Sequence, residues 1–118
     1  MNMKTIRRLA LLASLAATLP LSGAHADEPR VIAVSAKRFE FEPKEIHVAK
    51  DEPVVLEVAS QDATHGFFSR QLGFDEDLAP GKTVRIPLKT ATAGSFVIIC
   101  DHYCGSGHGN MKMTIVVQ

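Results

Sequence analysis

The 118-residue sequence contains no tryptophan, one tyrosine and only two cysteines, and its formal net charge is zero. Two cysteines allow one disulfide bond at most. The lack of excess positive charge argues against a nucleic-acid partner, which would call for a basic patch or stripe. After the first quarter of the chain, apolar residues show no convincing helical periodicity, so an α-helical fold is not expected.

The N-terminal quarter of the chain has the composition of an export signal. Three basic residues, Lys4, Arg7 and Arg8, precede an apolar run of 13 residues at positions 9–21. Ala24 and Ala26 then provide the small residues of a cleavage site. A basic start, an apolar centre and a small-residue end are the three parts of a secretory signal peptide.

Two features favour removal of this segment over its use as a membrane anchor. The apolar run is shorter than the roughly 20 residues that a spanning helix needs, and Pro20 interrupts it. We therefore predict a signal peptide over residues 1–26, a periplasmic location, and one folded domain over residues 27–118. That domain has 10 basic and 13 acidic residues and is mildly acidic. A retained anchor is the alternative, and only then would the protein be membrane-bound.

The remaining sequence alternates apolar and polar residues over short segments separated by turns, a pattern typical of β-strands. The predicted strands cover residues 31–37, 39–42, 45–50, 54–60, 71–77, 83–89, 95–99 and 113–117. Pro80 and Gly81 have the order of the central pair in a type II turn. We expect the third and fourth strands to form a β-hairpin, and the domain to be an all-β, antiparallel sandwich.

Residues 100–111, which we call the ligand loop, place two thiols, an imidazole and a thioether close together. The spacing is Cys-x3-Cys-x3-His-x2-Met, formed by Cys100, Cys104, His108 and Met111. Sulfur ligands combined with imidazole favour copper over magnesium, calcium or manganese. The sequence therefore predicts a copper site in this loop.

The second cysteine distinguishes this pattern from a mononuclear blue-copper site, which uses one Cys, two His and a weak axial Met. Two copper ions sharing both sulfurs would use every donor, provided that a second histidine came from elsewhere. His65 is the best candidate, and we expect it at the start of a polar connection after the fourth strand. A disulfide between Cys100 and Cys104 is the competing interpretation, because exported proteins meet an oxidising compartment.

Together with Ile98 and Ile99, the ligand loop resembles the binuclear CuA loop of heme-copper oxidase subunit II, and nitrous oxide reductase carries a related loop. The resemblance continues through residues 62–67, 79–81 and 114–117, so it covers most of the domain. It implies the cupredoxin fold, a Greek-key β-sandwich.

The resemblance also implies a complete set of ligands for two copper ions. Cys100 and Cys104 would bridge the ions, and His65 and His108 would be the terminal ligands. Met111 would bind one ion weakly, and the backbone carbonyl of His102 would serve the other. Many oxidases have glutamate where this chain has His102, but a carbonyl ligand does not depend on the side chain.

The resemblance implies that the protein transfers electrons. We expect no catalytic residues and no enzyme activity. A removable leader in place of membrane-spanning helices favours a stand-alone periplasmic carrier, with a c-type cytochrome, an oxidase or a reductase as its redox partner. Because the chain has no tryptophan, the aromatic entry point that many oxidases use for cytochrome c is missing or replaced. Two alternatives are a periplasmic copper chaperone or reservoir, which would exchange metal with other copper proteins, and a subunit II-like component of a terminal oxidase.

Overall fold

The computed structural model describes residues 28–118, which form a sandwich of two β-sheets. In chain order the strands of this region are β1 (Arg30–Lys37), β2 (Glu40–Glu42), β3 (Glu45–Val48), β4 (Val54–Ser60), β5 (His65–Ser69), β6 (Phe74–Leu78), β7 (Thr83–Leu88), β8 (Gly94–Ile99) and β9 (Lys112–Val117). A short 3₁₀ helix, His108–Asn110, precedes β9. One sheet has the strand order β2-β1-β4-β7, and the other has the order β3-β9-β8-β5-β6.

Strict alternation along the strands directs one face of each sheet into a shared core. In both β4 and β9 every second residue is buried. At the centre the Phe67 ring stacks on Phe74 and meets the edge of Phe41, with a centroid separation of 5.3 Å in each pair. Burial of one such side chain contributes about 1.5–3 kcal/mol. Phe67 follows His65 by two residues, so this packing also fixes the start of β5.

The predicted all-β sandwich is confirmed, but its strands are not all antiparallel. β1 runs parallel to β4, and β3 runs parallel to β9. The predicted hairpin is wrong, because β3 and β4 belong to different sheets. The chain changes partner within the intervening turn: Lys50 donates to Gln118 after β9, whereas Pro53 accepts from Arg30 at the start of β1.

The predicted turn at Pro80 and Gly81 is present between β6 and β7. Gly81 has a φ of 79°, and the Lys82 N–H donates to the Ala79 carbonyl at 3.2 Å. A positive φ at the third residue of a type II turn favours glycine. The turn sequence therefore fixes where β7 begins.

The predicted signal peptide, residues 1–26, lies outside the described residues. Within residues 28–118, no helix has the length and apolar character needed to cross a bilayer.

Candidate metal centre

The ligand loop connects β8 and β9, which are neighbouring antiparallel strands. Ile99 pairs with Lys112 at the end of this ladder, and the Cys100 N–H donates to the Met111 carbonyl at 3.0 Å. These contacts hold the two ends of the loop side by side. Cys100 and Met111, which are eleven positions apart in the sequence, are consequently both buried at the same end of the sandwich.

His65 reaches the loop from β5, the neighbour of β8 on its other side. The expectation that His65 lies in a polar connection is wrong, since this residue opens β5 and pairs with Leu78 of β6. The ladder with β6 starts directly after Thr64, so the connection ends earlier than its polar composition indicated. A fully buried side chain on a paired strand fixes the imidazole more firmly than an exposed loop would.

Gly66 allows β5 to lie directly against the ligand loop. Its N–H donates to Cys100 Sγ at 3.3 Å. A methyl group at this position would lie 2.6 Å from the His102 backbone nitrogen and would also strike the Asp101 carboxylate. Only glycine permits such a close approach of two backbones.

The two cysteines and His65 form a buried cluster. One ligand atom from each of His65, Cys100 and Cys104 lies within 4.8 Å of the other two. Both cysteines are free, and their Sγ atoms are 3.6 Å apart. Two thiols and an imidazole with little exposure to water therefore face a common point.

The other predicted donors surround the same pair of thiols. Cys104 Sγ is 3.9 Å from His108 Nδ1 and 3.9 Å from Met111 Sδ. The His102 carbonyl accepts from the Cys100 thiol at 3.1 Å, while the His102 side chain is exposed. The structure thus brings all six predicted residues together, and their assignment as metal ligands remains a prediction.

The two ring nitrogens of His65 have different surroundings. Nε2 forms a hydrogen bond with Asp62 Oδ1 at 2.7 Å, whereas Nδ1 is buried without a hydrogen-bond partner among residues 28–118. A buried polar atom without a partner costs about 1–3 kcal/mol. A metal ion bound by Nδ1 and the nearby thiols would satisfy this atom, so the residues present fit a metal of the soft type that sulfur and imidazole prefer.

Asp62 determines which nitrogen of His65 is free to bind. Burial acts to raise the pKa of the Asp62 carboxyl, but hydrogen bonds from the Arg38 N–H, the His65 ring and the Ala63 N–H outweigh it and lower the pKa to about 2. An ionised carboxylate can only accept a hydrogen bond, so the Nε2–H donates to it and Nδ1 presents a lone pair. Such partners orient a ligating histidine and make it more basic.

The Cys104 thiol of the metal-free protein is protonated at neutral pH. Burial raises the pKa of this thiol to about 11, and a hydrogen bond with Cys100 acts in the same direction. Metal binding requires the thiolate. Uptake of a metal ion at this site must therefore release protons.

Comparison with known proteins identifies the family. A model of the cupredoxin-like domain matches residues 9–117. The chain belongs to the cupredoxin-like domain family. Cytochrome c oxidase subunit 2 of Thermus thermophilus is 34% identical over 85 residues, which are 72% of this chain and 63% of that protein. The cupredoxin-like chain thus spans less than two thirds of this relative.

Solved structures agree on the fold. The periplasmic domain of subunit II of cytochrome oxidase from Bradyrhizobium japonicum superposes with a TM-score of 0.70 at 20% identity, covering 78% of this chain and 86% of that one. Auracyanin A, a blue copper protein from Chloroflexus aurantiacus, superposes with a TM-score of 0.63 at 14% identity, covering 77% of this chain and 100% of that one. The predicted cupredoxin-like fold is therefore confirmed. Family membership and the donor set together support copper as the metal of this domain.

Contacts from the corner between β1 and β2 were not found by sequence reasoning. The Arg38 Nε donates to the Cys104 carbonyl at 2.7 Å. The neighbouring Phe39 ring packs on the ligand loop, where a methyl group at Gly105 would lie 2.8 Å from it. Arg38 and Cys104 are 66 positions apart, and no local pattern connects them. Asp62 did carry a signal, because it lies three residues before His65.

Proposed function

We propose that this cupredoxin-like domain is a periplasmic electron carrier with a binuclear copper centre of the CuA type. Cys100 and Cys104 would bridge the two ions, with His65 and His108 as terminal ligands. Met111 and the His102 carbonyl would complete the shells. When bound, the copper supplies a reversible one-electron couple.

One observation carries the binuclear assignment: two free, buried thiols lie 3.6 Å apart, a nitrogen of His65 lies within 4.8 Å of both, and His108 Nδ1 lies 3.9 Å from Cys104 Sγ. A mononuclear blue-copper centre uses a single thiolate, and it would leave the other thiol buried and unused. A shared pair of ions gives both sulfurs and both imidazoles a role.

The scaffold suits electron transfer because paired strands hold His65 and both ends of the ligand loop. His65 is on β5, Cys100 follows β8, and Met111 precedes β9. A close-packed interior resists changes in these positions, so the metal geometry would change little between oxidation states. His108 is half-buried and its ring lies 5.9 Å from the exposed Tyr103 ring. We propose that electrons pass at this surface, to or from a c-type cytochrome, an oxidase or a reductase.

A second candidate role is that of a subunit II-like component of a terminal oxidase, and the 34% identity to Thermus subunit 2 favours it. In that case the domain would serve an enzyme complex without contributing catalytic residues of its own. Copurification of the full chain with a large heme-bearing subunit would establish this role. A domain that purifies alone and exchanges electrons while free in solution supports the carrier.

The carrier function is tested by loading the exported domain anaerobically with copper and mixing it with a reduced c-type cytochrome. We expect two copper ions per chain, a purple colour, and rapid oxidation of the cytochrome. Cys104→Ser is the matched variant, since it keeps the size of the side chain and removes the second bridging sulfur. Copper transfer to a metal-free acceptor protein without electron exchange would contradict the carrier and indicate a chaperone.

A further inference from the structure

Arg38 lies between the two parts of the proposed ligand set, which come from distant segments of the chain. Its backbone N–H donates to Asp62 Oδ2 at 2.8 Å, and the other oxygen of that carboxylate holds His65. Its side-chain Nε donates to the Cys104 carbonyl at 2.7 Å. One residue therefore connects the support of the β5 histidine to the backbone of the ligand loop.

The charge of Arg38 differs from that of two other arginines of this domain, which form salt bridges. Arg30 pairs with Glu52 and Arg85 pairs with Glu57. Within residues 28–118, the Arg38 guanidinium has no carboxylate at salt-bridge distance. A guanidinium is always protonated in proteins, so a positive charge without a salt-bridge partner among these residues lies beside Cys104.

We propose that Arg38 is a positioning residue that holds the Cys104 segment of the ligand loop and raises the reduction potential of the centre. A positive charge next to a redox centre favours the state with the additional electron. The Arg38 side chain is exposed, so dissolved salt weakens this effect. The part of the inference that concerns potential rests on the proposed function, whereas the part that concerns the loop applies to the metal-free protein.

The test compares Arg38→Gln and Arg38→Lys with Arg85→Gln, which removes the same charge from a residue that is paired with Glu57. In the metal-free protein, amide hydrogen exchange of residues 101–108 should be faster in Arg38→Gln than in the wild type. Arg38→Lys keeps the charge but loses the geometry of the guanidinium, so its loop should also exchange faster. Arg85→Gln should match the wild type.

In the copper-loaded protein, the reduction potential should fall in Arg38→Gln and stay near the wild-type value in Arg38→Lys. Copper affinity should fall by about 10- to 100-fold in Arg38→Gln, the range usual for groups that support metal ligands. If Arg38→Gln does not fold, Arg38→Lys provides the test. Amide exchange of the ligand loop that is slower than or equal to wild type in Arg38→Lys overturns the positioning role. A reduction potential below the wild-type value in Arg38→Lys overturns the role of the charge.

The two proposals fail in different ways. Wild-type protein that cannot bind two copper ions contradicts the proposed function, while hydrogen exchange still tests the positioning by Arg38. A normal binuclear centre in the wild type, with the same loop exchange and the same potential in Arg38→Gln, overturns the inference about Arg38 and leaves the proposed function standing.

Discussion

At the scale of single residues, the most informative group is the imidazole of His65, whose two nitrogens have separate tasks. Asp62 holds Nε2, and Nδ1 is buried without a hydrogen-bond partner among the described residues. A histidine fixed in this way loses little freedom when it binds a metal. The carboxylate is therefore as much a part of the site as the imidazole.

Replacing Asp62 by asparagine should weaken copper binding while the fold is kept. The neutral amide is a poorer acceptor for the Nε2 proton, so the imidazole is less basic and less firmly oriented. We expect a loss of about 10- to 100-fold in affinity, measured by competition with a chelator. Asp51→Asn makes the same change in the turn after β3, at the far end of β9 from the ligand loop, and should have no effect.

The Asp62→Asn substitution should also change how the unfolding free energy of the metal-free protein depends on pH. The pKa of Asp62 is lowered from 3.8 to about 2, so the carboxylate stabilises the fold above pH 3.8 and this contribution is lost as the pH falls towards 2. The difference in unfolding free energy between wild type and Asp62→Asn should disappear over that interval. A difference that persists unchanged at pH 2 would contradict the assignment of the ionised carboxylate to Asp62.

Met111 and Met113 provide a matched pair of buried methionines. Both are about 1% exposed, but only the Met111 sulfur lies 3.9 Å from Cys104 Sγ. Replacing either by leucine conserves volume and should cost less than about 1.5 kcal/mol of stability. An axial ligand tunes the potential of a copper centre, so voltammetry should show a shift in Met111→Leu only. Equal potentials in the two variants would exclude Met111 as a ligand.

At the scale of secondary-structure elements, the site depends on how closely β5 approaches the ligand loop. Gly66→Ala should displace the loop, because the added methyl group meets the Asp101 carboxylate and the backbone of His102. Copper affinity and thermal stability should both fall. Gly109→Ala is the control, since a methyl group there meets nothing within 4 Å. Normal copper binding by Gly66→Ala would show that this close approach is not required.

Local patterns located most of the strands but missed β5, placed the start of β6 too early, and did not reveal which strands pair. Alternation located β4 at its observed bounds, and the proline and glycine at positions 80 and 81 predicted their turn. The turn before β4 did not reveal that the chain crosses to the other sheet there, because short-range turn signals carry no information about which strand will pair. The predicted hairpin failed for this reason.

The candidate site was predicted to the extent that its residues lie close in sequence or in a known motif. Four donors lie within twelve positions, and His65 was found through its similarity to oxidase subunit II. The role of Asp62 was missed although it lies three residues before His65, because its hydrogen bond to the imidazole forms only in the folded state. Arg38 is 66 positions from Cys104, so no sequence spacing connects it to the ligand loop.

At the scale of the whole molecule, copper should stabilise the fold, because its ligands come from β5 and from both ends of the ligand loop. A ligand that binds only the native state at 1,000 times its Kd adds about 4 kcal/mol, which for a domain of this size raises Tm by roughly 15–30 °C. Anaerobic thermal unfolding with and without copper measures the shift. Removal of the metal should reverse it, and a Cys100→Ser, Cys104→Ser double variant should show no comparable rise.

The central claim is that two copper ions share the paired thiolates, and electron paramagnetic resonance of the copper-loaded wild-type domain tests it most directly. One unpaired electron shared equally by two copper nuclei gives a seven-line hyperfine pattern, and this is the result that we predict. A four-line pattern, with the electron on a single copper ion, would contradict the binuclear centre.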